Sequence, residues 1–249
     1  QGGTDHIVEY NDIGRVCMET GDAGAFYMGR DFTYRGNIVR YNYLHDLGRY
    51  EDKFSSHGFS ETMGVYLDDF IGGTTVLGNL FVKSNRAVMI GGGSDNLVEN
   101  NVMVDCKLGV WVDARGLGWA KNYFSGEITT LQERFNAVNA ANPPYSVRYP
   151  RLPGIFADEP AVPKGNVIVR NICTGGTWMQ WALEKLDPAT TLVVEDNLID
   201  TDPLFVNPAA RDYRLKPDSP ALAMGINQLP IEKMGLYIDR YRTSLPATE

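Results

Sequence analysis

The chain has 249 residues, and 23 Lys and Arg against 31 Asp and Glu give a formal net charge of −8. This acidic balance argues against a nucleic-acid partner, because domains that bind a phosphate backbone present clustered Lys and Arg. The sequence contains no run of about 18 apolar residues, which excludes a membrane-spanning helix within it and predicts no membrane partner.

The chain begins Gln1-Gly2-Gly3-Thr4, with no initiator Met and no charged or apolar targeting segment. We therefore expect an N-terminus that has been processed or truncated. The three cysteines, Cys17, Cys106 and Cys173, lack metal-ligand spacing, and their odd number excludes a fully paired disulfide framework. Buried free thiols are the expected state.

A short motif of two apolar residues, two variable residues, Asn, a variable residue and an apolar residue recurs six times. Its asparagines are Asn11, Asn42, Asn79, Asn101, Asn171 and Asn197. The short separations match one coil of a parallel β-helix, and the longer ones add loops. Strands of successive coils stack about 4.8 Å apart, and an Asn at a bend tolerates a left-handed backbone while its amide bonds to the next Asn. A turn residue in a β-sandwich is the alternative.

A second strand column follows the first in four places, at residues 25–29, 64–68, 87–91 and 109–113. Side chains alternate between faces along a strand, which sends one set to the core. That inner set is Val65, Leu67, Val88, Ile90, Val110 and Val112. The outward set is Tyr27, Gly29, Tyr66, Asp68, Met89, Gly91, Trp111 and Asp113. Rings beside carboxylates predict a carbohydrate groove, since a flat ring stacks on the apolar face of a sugar.

The coils break after Asp113, and residues 116–164 form a long excursion with one predicted short helix and a Pro-rich run. The helix has its apolar positions at Ile128, Leu131, Phe135 and Val138. So long a loop in a repeat protein is usually functional, and we expect it to form a wall of the binding site. The solenoid is predicted over residues 1–200. The irregular tail, residues 201–249, is expected to cap its open C-terminal end.

Five blocks of the sequence resemble the right-handed parallel β-helix proteins around glycoside hydrolase family 141. They are DAGAFYMGRD (22–31), RGNIVRYN (35–42), GVYLDD (64–69), IGGGSDN (90–96) and VDARGLGW (112–119). The tail is similar to the closing segment of many bacterial β-helix proteins. The resemblance implies an all-β, right-handed parallel β-helix. It also implies a secreted or periplasmic enzyme that cuts fucosyl or xylan-type linkages in plant polysaccharide. Family members carry further N-terminal coils, so the chain would correspond to their C-terminal portion and pair with an N-terminal segment of the same protein.

Glycoside hydrolysis generally needs two carboxyl groups. The outward column places Asp68 and Asp113 two coils apart, about 9.6 Å between Cα atoms, with Gly91 between them. Inverting enzymes hold their carboxyls roughly 6.5–9.5 Å apart to admit a water, and Gly91 would leave that space open. Asp22, just before its strand, is the third catalytic candidate. Each also has a structural interpretation: a turn residue for Asp68, an ion pair with Arg115 for Asp113, and an Asx turn for Asp22.

Further side chains are candidate substrate contacts, namely Asp69, Asp31, Arg30, Arg115, Tyr66, Trp111 and His45. The arginines could hold a carboxylate or tune a catalytic acid, and the rings could stack on sugar. The corresponding structural alternatives are a local pair between Arg30 and Asp31, a structural histidine at a coil corner, and packing among surface rings.

The leading hypothesis is therefore a glycoside hydrolase that acts on a polysaccharide or oligosaccharide. A calcium-assisted polysaccharide lyase on the same fold is the first alternative, with Asp68, Asp69 and Asp95 as possible calcium ligands. Few lysines fall in the groove columns, which argues against a lyase. A non-catalytic carbohydrate-binding or surface module is the second alternative. Beyond possible calcium, we predict no cofactor and no resident metal.

Overall fold

The computed structural model of the protein describes residues 2–48 and 61–246. Gln1 of the expected processed terminus lies outside the described residues, as do the last three residues of the predicted tail. The described chain is mostly β-structure with few helices.

The strands form three parallel sheets of six, six and five members, and successive strands of the chain enter the three sheets in turn. The first sheet contains β1 (Ile7–Glu9), β4 (Ile38–Arg40), β7 (Thr75–Leu77), β10 (Leu97–Glu99), β13 (Asn166–Val169) and β16 (Leu192–Glu195). The second contains β2 (Asp12–Gly14), β5 (Tyr43–Leu47), β8 (Leu80–Ser84), β11 (Val102–Val104), β14 (Ile172–Thr174) and β17 (Leu198–Ile199). The third contains β3 (Ala23–Met28), β6 (Thr62–Leu67), β9 (Arg86–Gly91), β12 (Leu108–Asp113) and β15 (Thr177–Ala182).

Each set of three consecutive strands, one in each sheet, is a coil, and equivalent residues of neighbouring coils pair directly. Val39, for example, lies opposite Val8 on one side and Val76 on the other. The inner side chains of all three sheets meet in one core, so that Val39, Val76 and Val98 are almost completely buried. These features confirm an all-β fold of stacked parallel strands that is solenoid-like.

The repeated asparagines form a hydrogen-bonded ladder. Asn79 donates from its backbone N–H (2.9 Å) and from Nδ2 (3.0 Å) to Oδ1 of Asn101 on the next coil. The same two bonds link Asn101 to Asn171, both at 2.9 Å. The left-handed backbone falls on the residue before each ladder asparagine, as at Tyr41 with φ 53°, and not on the asparagine itself. Register is therefore fixed by side-chain amides inside the stack.

The predicted inward and outward sets of the third sheet are both found. The inner set is fully buried and comprises Val65, Leu67, Val88, Ile90, Val110 and Val112. Tyr66, Met89 and Trp111 share the opposite face, where they pack together with Met63. The outward face is the floor of the site described below.

The excursion contains four short helical segments beyond the third sheet, of which the first three are a 3-10 helix at Lys121–Tyr123, α1 (Thr130–Ala137) and α2 (Tyr145–Arg148). It ends in a 3-10 helix at Leu152–Ala157. Leu131 and Phe135 of α1 are buried, as the predicted helical spacing requires, whereas Val138 follows the last helical residue and is exposed. These side chains pack against Phe32 and Phe70 from the loops beside the third sheet. The excursion is thereby attached to the coils next to the end of β12.

The tail lies along the outer face of the second sheet. It contains the hairpin β18 (Phe205–Asn207) and β19 (Asp212–Leu215), and short helices at α4 (Pro220–Ala223), Pro208–Ala210 and Ile231–Lys233; α3 (Pro188–Thr191) precedes it. It reaches back to the first coil, where Gly235 N–H donates to the carbonyl of Tyr10 (2.8 Å). We expected it to cover the end of the stack. Trp181, Val193 and Val194 of the last coil are exposed.

All three cysteines are free thiols, as expected. Burial raises the pKa of Cys106 to about 12 and that of Cys173 to about 12, so both remain protonated and inaccessible. Cys17 is only partly buried. Iodoacetamide at pH 8 should therefore modify Cys17 alone in the native protein and all three thiols in denaturant, as measured by intact mass. Native labelling of Cys106 or Cys173 would contradict the packing described here.

Candidate functional site

A polar pocket of about 250 Å³ lies over the outward face of the third sheet. Its walls are formed by five carboxylates, three guanidinium groups and five aromatic or Met side chains. The lining residues are Asp22, Arg30, Glu61, Met63, Tyr66, Asp68, Asp69, Arg86, Met89, Trp111, Asp113, Arg115 and Trp119.

The side chain of Arg115 organises one end of this pocket. Arg115 lies just after β12 and is buried. Its Nη1 donates to Asp68 Oδ1 (2.5 Å) and to Asp69 Oδ1 (2.7 Å). Its Nε and Nη2 donate to the two oxygens of Asp113, at 2.9 and 2.8 Å. We call these four residues the Arg115 cluster.

The space over Gly91 is filled. We expected it to admit a water between Asp68 and Asp113, but a Cβ on Gly91 would lie 2.5 Å from Cζ of Arg115. The glycine is needed because the guanidinium occupies that volume. Since one guanidinium contacts both carboxylates, the bonded oxygens of Asp68 and Asp113 are at most about 8 Å apart.

The electrostatics of the Arg115 cluster favour a permanently charged guanidinium. Burial acts to lower the pKa of Arg115, but the hydrogen bonds and charges of Asp113, Asp69 and Asp68 outweigh it and hold that pKa above its ordinary value. The structural alternative for Asp113, an ion pair with Arg115, is what the geometry shows. Asp68 belongs to the same ion-pair network.

Two tyrosines connect Asp68 with Asp22. Tyr27 donates its hydroxyl to Asp68 Oδ2 (3.0 Å), and Tyr66 donates to Asp22 Oδ1 (2.8 Å). The two rings meet edge to face, 5.3 Å apart. Burial, then the charge of Asp68 and the hydrogen bond to Asp22, raise the pKa of Tyr66 far above its ordinary value. Burial and the neighbouring Asp68 likewise raise the pKa of Tyr27 to about 12. Both hydroxyls therefore stay protonated at neutral pH and donate to Asp68 and Asp22.

Glu61 and Trp119 line the pocket but were not among the predicted site residues. Glu61 immediately precedes β6, and its carbonyl accepts from Ala23 N–H (3.1 Å), which places it beside Asp22. Extending the strand alignment three residues upstream of Gly64 would have found it. Trp119 comes from the excursion, so the expected wall contributes a ring to the rim. No periodic signal marks that position.

Arg86 lies in the floor of the pocket. Its guanidinium is 5.2 Å from the ring of Trp111, and Nη1 approaches Met89 Sδ at 3.5 Å. Burial lowers its pKa. Trp111 also donates from Nε1 to Asp113 (3.2 Å), so this predicted stacking residue is tied to the Arg115 cluster.

Two predicted substrate contacts lie outside the lining of the pocket. Asp31 is buried and accepts from the hydroxyl and N–H of Thr33, at 2.7 and 2.8 Å. The expected local pair with Arg30 does not form, because Arg30 binds Asp69. The left-handed backbone of Arg30 turns its side chain back toward the pocket.

His45 lies on the second sheet, away from this pocket. Its ring nitrogens face Asp46 Oδ2 (2.7 Å) and Asp12 Oδ1 (2.9 Å), and its ring stacks on Tyr43 at 4.3 Å. Arg211 of the tail joins the group by binding Asp46 (2.9 Å). The structural alternative for this histidine therefore matches its surroundings, since the group attaches the tail to the coils.

The suggested calcium ligands are not gathered in one place. Asp68 and Asp69 share Arg115, whereas Asp95 is paired with Arg35 (2.9 Å) and Arg151 (2.6 Å). Within residues 2–48 and 61–246, no group of three or more His, Cys, Asp or Glu is arranged to hold a metal ion.

Comparison of the chain with protein-family models, with curated proteins and with solved structures gave no match in any of the three. In the part of the chain that the structure describes, none of the helices has the length and apolar character needed to cross a membrane.

Proposed function

We propose that the protein is a secreted glycoside hydrolase built on a right-handed parallel β-helix. Strand–crossover–strand connections within a parallel sheet are right-handed in nearly all proteins, which supports that handedness. The resemblance to glycoside hydrolase family 141 suggests fucosyl or xylan-type linkages of plant polysaccharide as substrate. A pocket of carboxylates and rings on the outward face of the third sheet suits such a sugar.

The observation that carries the proposal is the contrast between Asp22 and Asp68 in one pocket. Asp68 accepts from Arg115 and therefore brings a negative charge to the reaction, as a base or nucleophile requires. The side chain of Asp22 accepts from the hydroxyl of Tyr66, so the hydrogen bond that holds it comes from a neutral group. In glycosidases, the acid and base roles of two carboxyl groups are separated by placing the groups in different environments.

In this mechanism Asp22 protonates the glycosidic oxygen as the bond to the anomeric carbon breaks. Asp68 activates water or attacks that carbon from the other side, and the stereochemistry of the product distinguishes the two routes. Asp113 and Asp69 hold Arg115 in place, and Arg115 and Tyr27 orient Asp68. Tyr66 orients Asp22 in the same way.

Substitution of each carboxylate tests the two roles separately. Asp22→Asn should lose about 10²-fold or more in kcat on a polysaccharide, yet retain much of its activity on a dinitrophenyl glycoside, whose leaving group needs no proton. Asp68→Asn should lose activity on both substrates. Measurements of kcat and KM for polysaccharide fragments and aryl glycosides of fucose and xylose would give these values.

Asp95→Asn is the matched control, because it also removes a carboxylate from an arginine pair but lies outside the pocket lining. It should keep wild-type kcat for its folded fraction. Wild-type turnover in Asp68→Asn would refute the proposal. An unsaturated product that absorbs in the ultraviolet would indicate a lyase, and saturable binding without turnover would indicate a carbohydrate-binding module.

A further inference from the structure

Trp119 stands at the rim of the pocket with its side chain turned to solvent. It is 71% exposed, although it lines the same pocket as Asp68 and Arg115. Its ring lies over the guanidinium of Arg115, with Cζ 5.4 Å from the ring centroid. An exposed indole contributes little to folding, because most of its apolar surface remains in water.

The backbone around Trp119 is held firmly. Gly118 N–H (3.1 Å) and Ala120 N–H (2.8 Å) both donate to the carbonyl of Arg115. Ala120 is fully buried against the excursion, and Leu117 N–H donates to the carbonyl of Ala114 (2.8 Å). The exposed ring is therefore carried by a fixed loop, and binding to it requires little ordering of the backbone.

The pocket has room for one sugar unit, and most of the Trp119 ring lies outside it in solvent. A cavity of about 250 Å³ is below the range of sites that enclose drug-sized ligands, and it suits one sugar unit. A chain whose terminal unit fills this pocket passes over the rim. The next unit then meets the part of the indole that is exposed to solvent.

We propose that Trp119 is the stacking platform for the second sugar unit, and that it makes the enzyme selective for oligosaccharide and polysaccharide chains over simple glycosides. This inference rests on the proposed glycosidase function. It identifies a specificity-determining contact on the excursion, outside the strand columns that supply the carboxylates.

Kinetics on two classes of substrate test the platform. Trp119→Ala should lower the ratio of kcat/KM for an oligosaccharide to kcat/KM for an aryl monoglycoside by tenfold or more, with the loss mainly in KM. Trp119→Phe should recover most of that ratio. Trp181→Ala is the control, since Trp181 is also exposed (50%) but lies on the last coil outside the pocket lining. An unchanged ratio in Trp119→Ala, with normal hydrolysis, would overturn the platform and leave the glycosidase proposal standing.

Equilibrium binding separates the two proposals further. Calorimetry in an Asp22→Asn background, with and without Trp119→Ala, measures oligosaccharide affinity without turnover. A Kd that rises tenfold or more supports the platform even if wild-type hydrolysis is absent, which would count against the glycosidase alone. Equal Kd values for the Asp22→Asn protein with and without Trp119→Ala, or no binding by either protein, would overturn the platform.

Discussion

Replacing Arg115 by methionine is expected to unfold the pocket and to abolish the glycoside hydrolysis proposed above. The change removes a guanidinium that contacts Asp68, Asp69 and Asp113 together, and leaves these buried carboxylates without that positive partner. Removing one partner of a buried ion pair typically costs about 3–5 kcal/mol. For a chain of this length each kcal/mol lowers Tm by roughly 2–4 °C. A fall of roughly 10 °C is therefore expected in a thermal melt.

Arg35→Met and Arg115→Lys are the informative comparisons. Arg35 is an equally buried arginine that binds Asp95 and the carbonyl of Phe32 (3.2 Å) outside the pocket lining, so its loss should reduce stability without reducing the activity of the folded fraction. Arg115→Lys keeps the charge but cannot donate in several directions in one plane, and should recover stability only in part. An Arg115→Met protein that melts within about 2 °C of wild type would contradict this account.

Asn101→Leu is expected to be the most destabilising change inside the stack. Asn101 accepts two hydrogen bonds from Asn79 and donates to Asn171 and to the carbonyl of Val76 (2.9 Å). Leucine would leave these buried groups without partners, each at a cost of about 1–3 kcal/mol. We expect a loss of about 4 kcal/mol or more in the free energy of unfolding, measured by urea denaturation.

The first coil supplies the control for this prediction. Asn11 belongs to the same ladder but is exposed, and its Nδ2 donates to Asn42 Oδ1 (2.8 Å) at the surface of the stack. Water can replace these bonds, so Asn11→Leu should cost less than about 1 kcal/mol. Similar losses for Asn11→Leu and Asn101→Leu would mean that the ladder does not set the stability of the interior.

The sequence predicted the strand columns and the ladder because both are periodic. A repeated Asn fixes which residues of neighbouring coils lie side by side, and alternation then assigns Val65 inward and Tyr66 outward. The position of Asp68 two coils from Asp113 follows from the same register.

The direction of long side chains after a strand could not be predicted in this way. Arg115 lies beyond the end of β12, and its side chain returns over Gly91 to reach Asp68, a contact across 47 residues of sequence. Spacing gives the height of a Cα atom in the stack, but not the path of a flexible side chain. The pairing of Arg30 with Asp69 instead of its neighbour Asp31 has the same cause.

The ladder also bears on how such a protein can change during evolution. Asn79 and Asn101 are separated by 22 residues and Asn101 and Asn171 by 70, yet the hydrogen bonds that join each pair are almost identical in length. The excursion thus lengthens one coil without disturbing the strands above and below it. The entropic cost of closing a loop rises only slowly with loop length. Insertions between the strands of a coil therefore have little effect on the stability of the stacked strands. New rims with other specificities can therefore be acquired by insertion while the carboxylates stay in place.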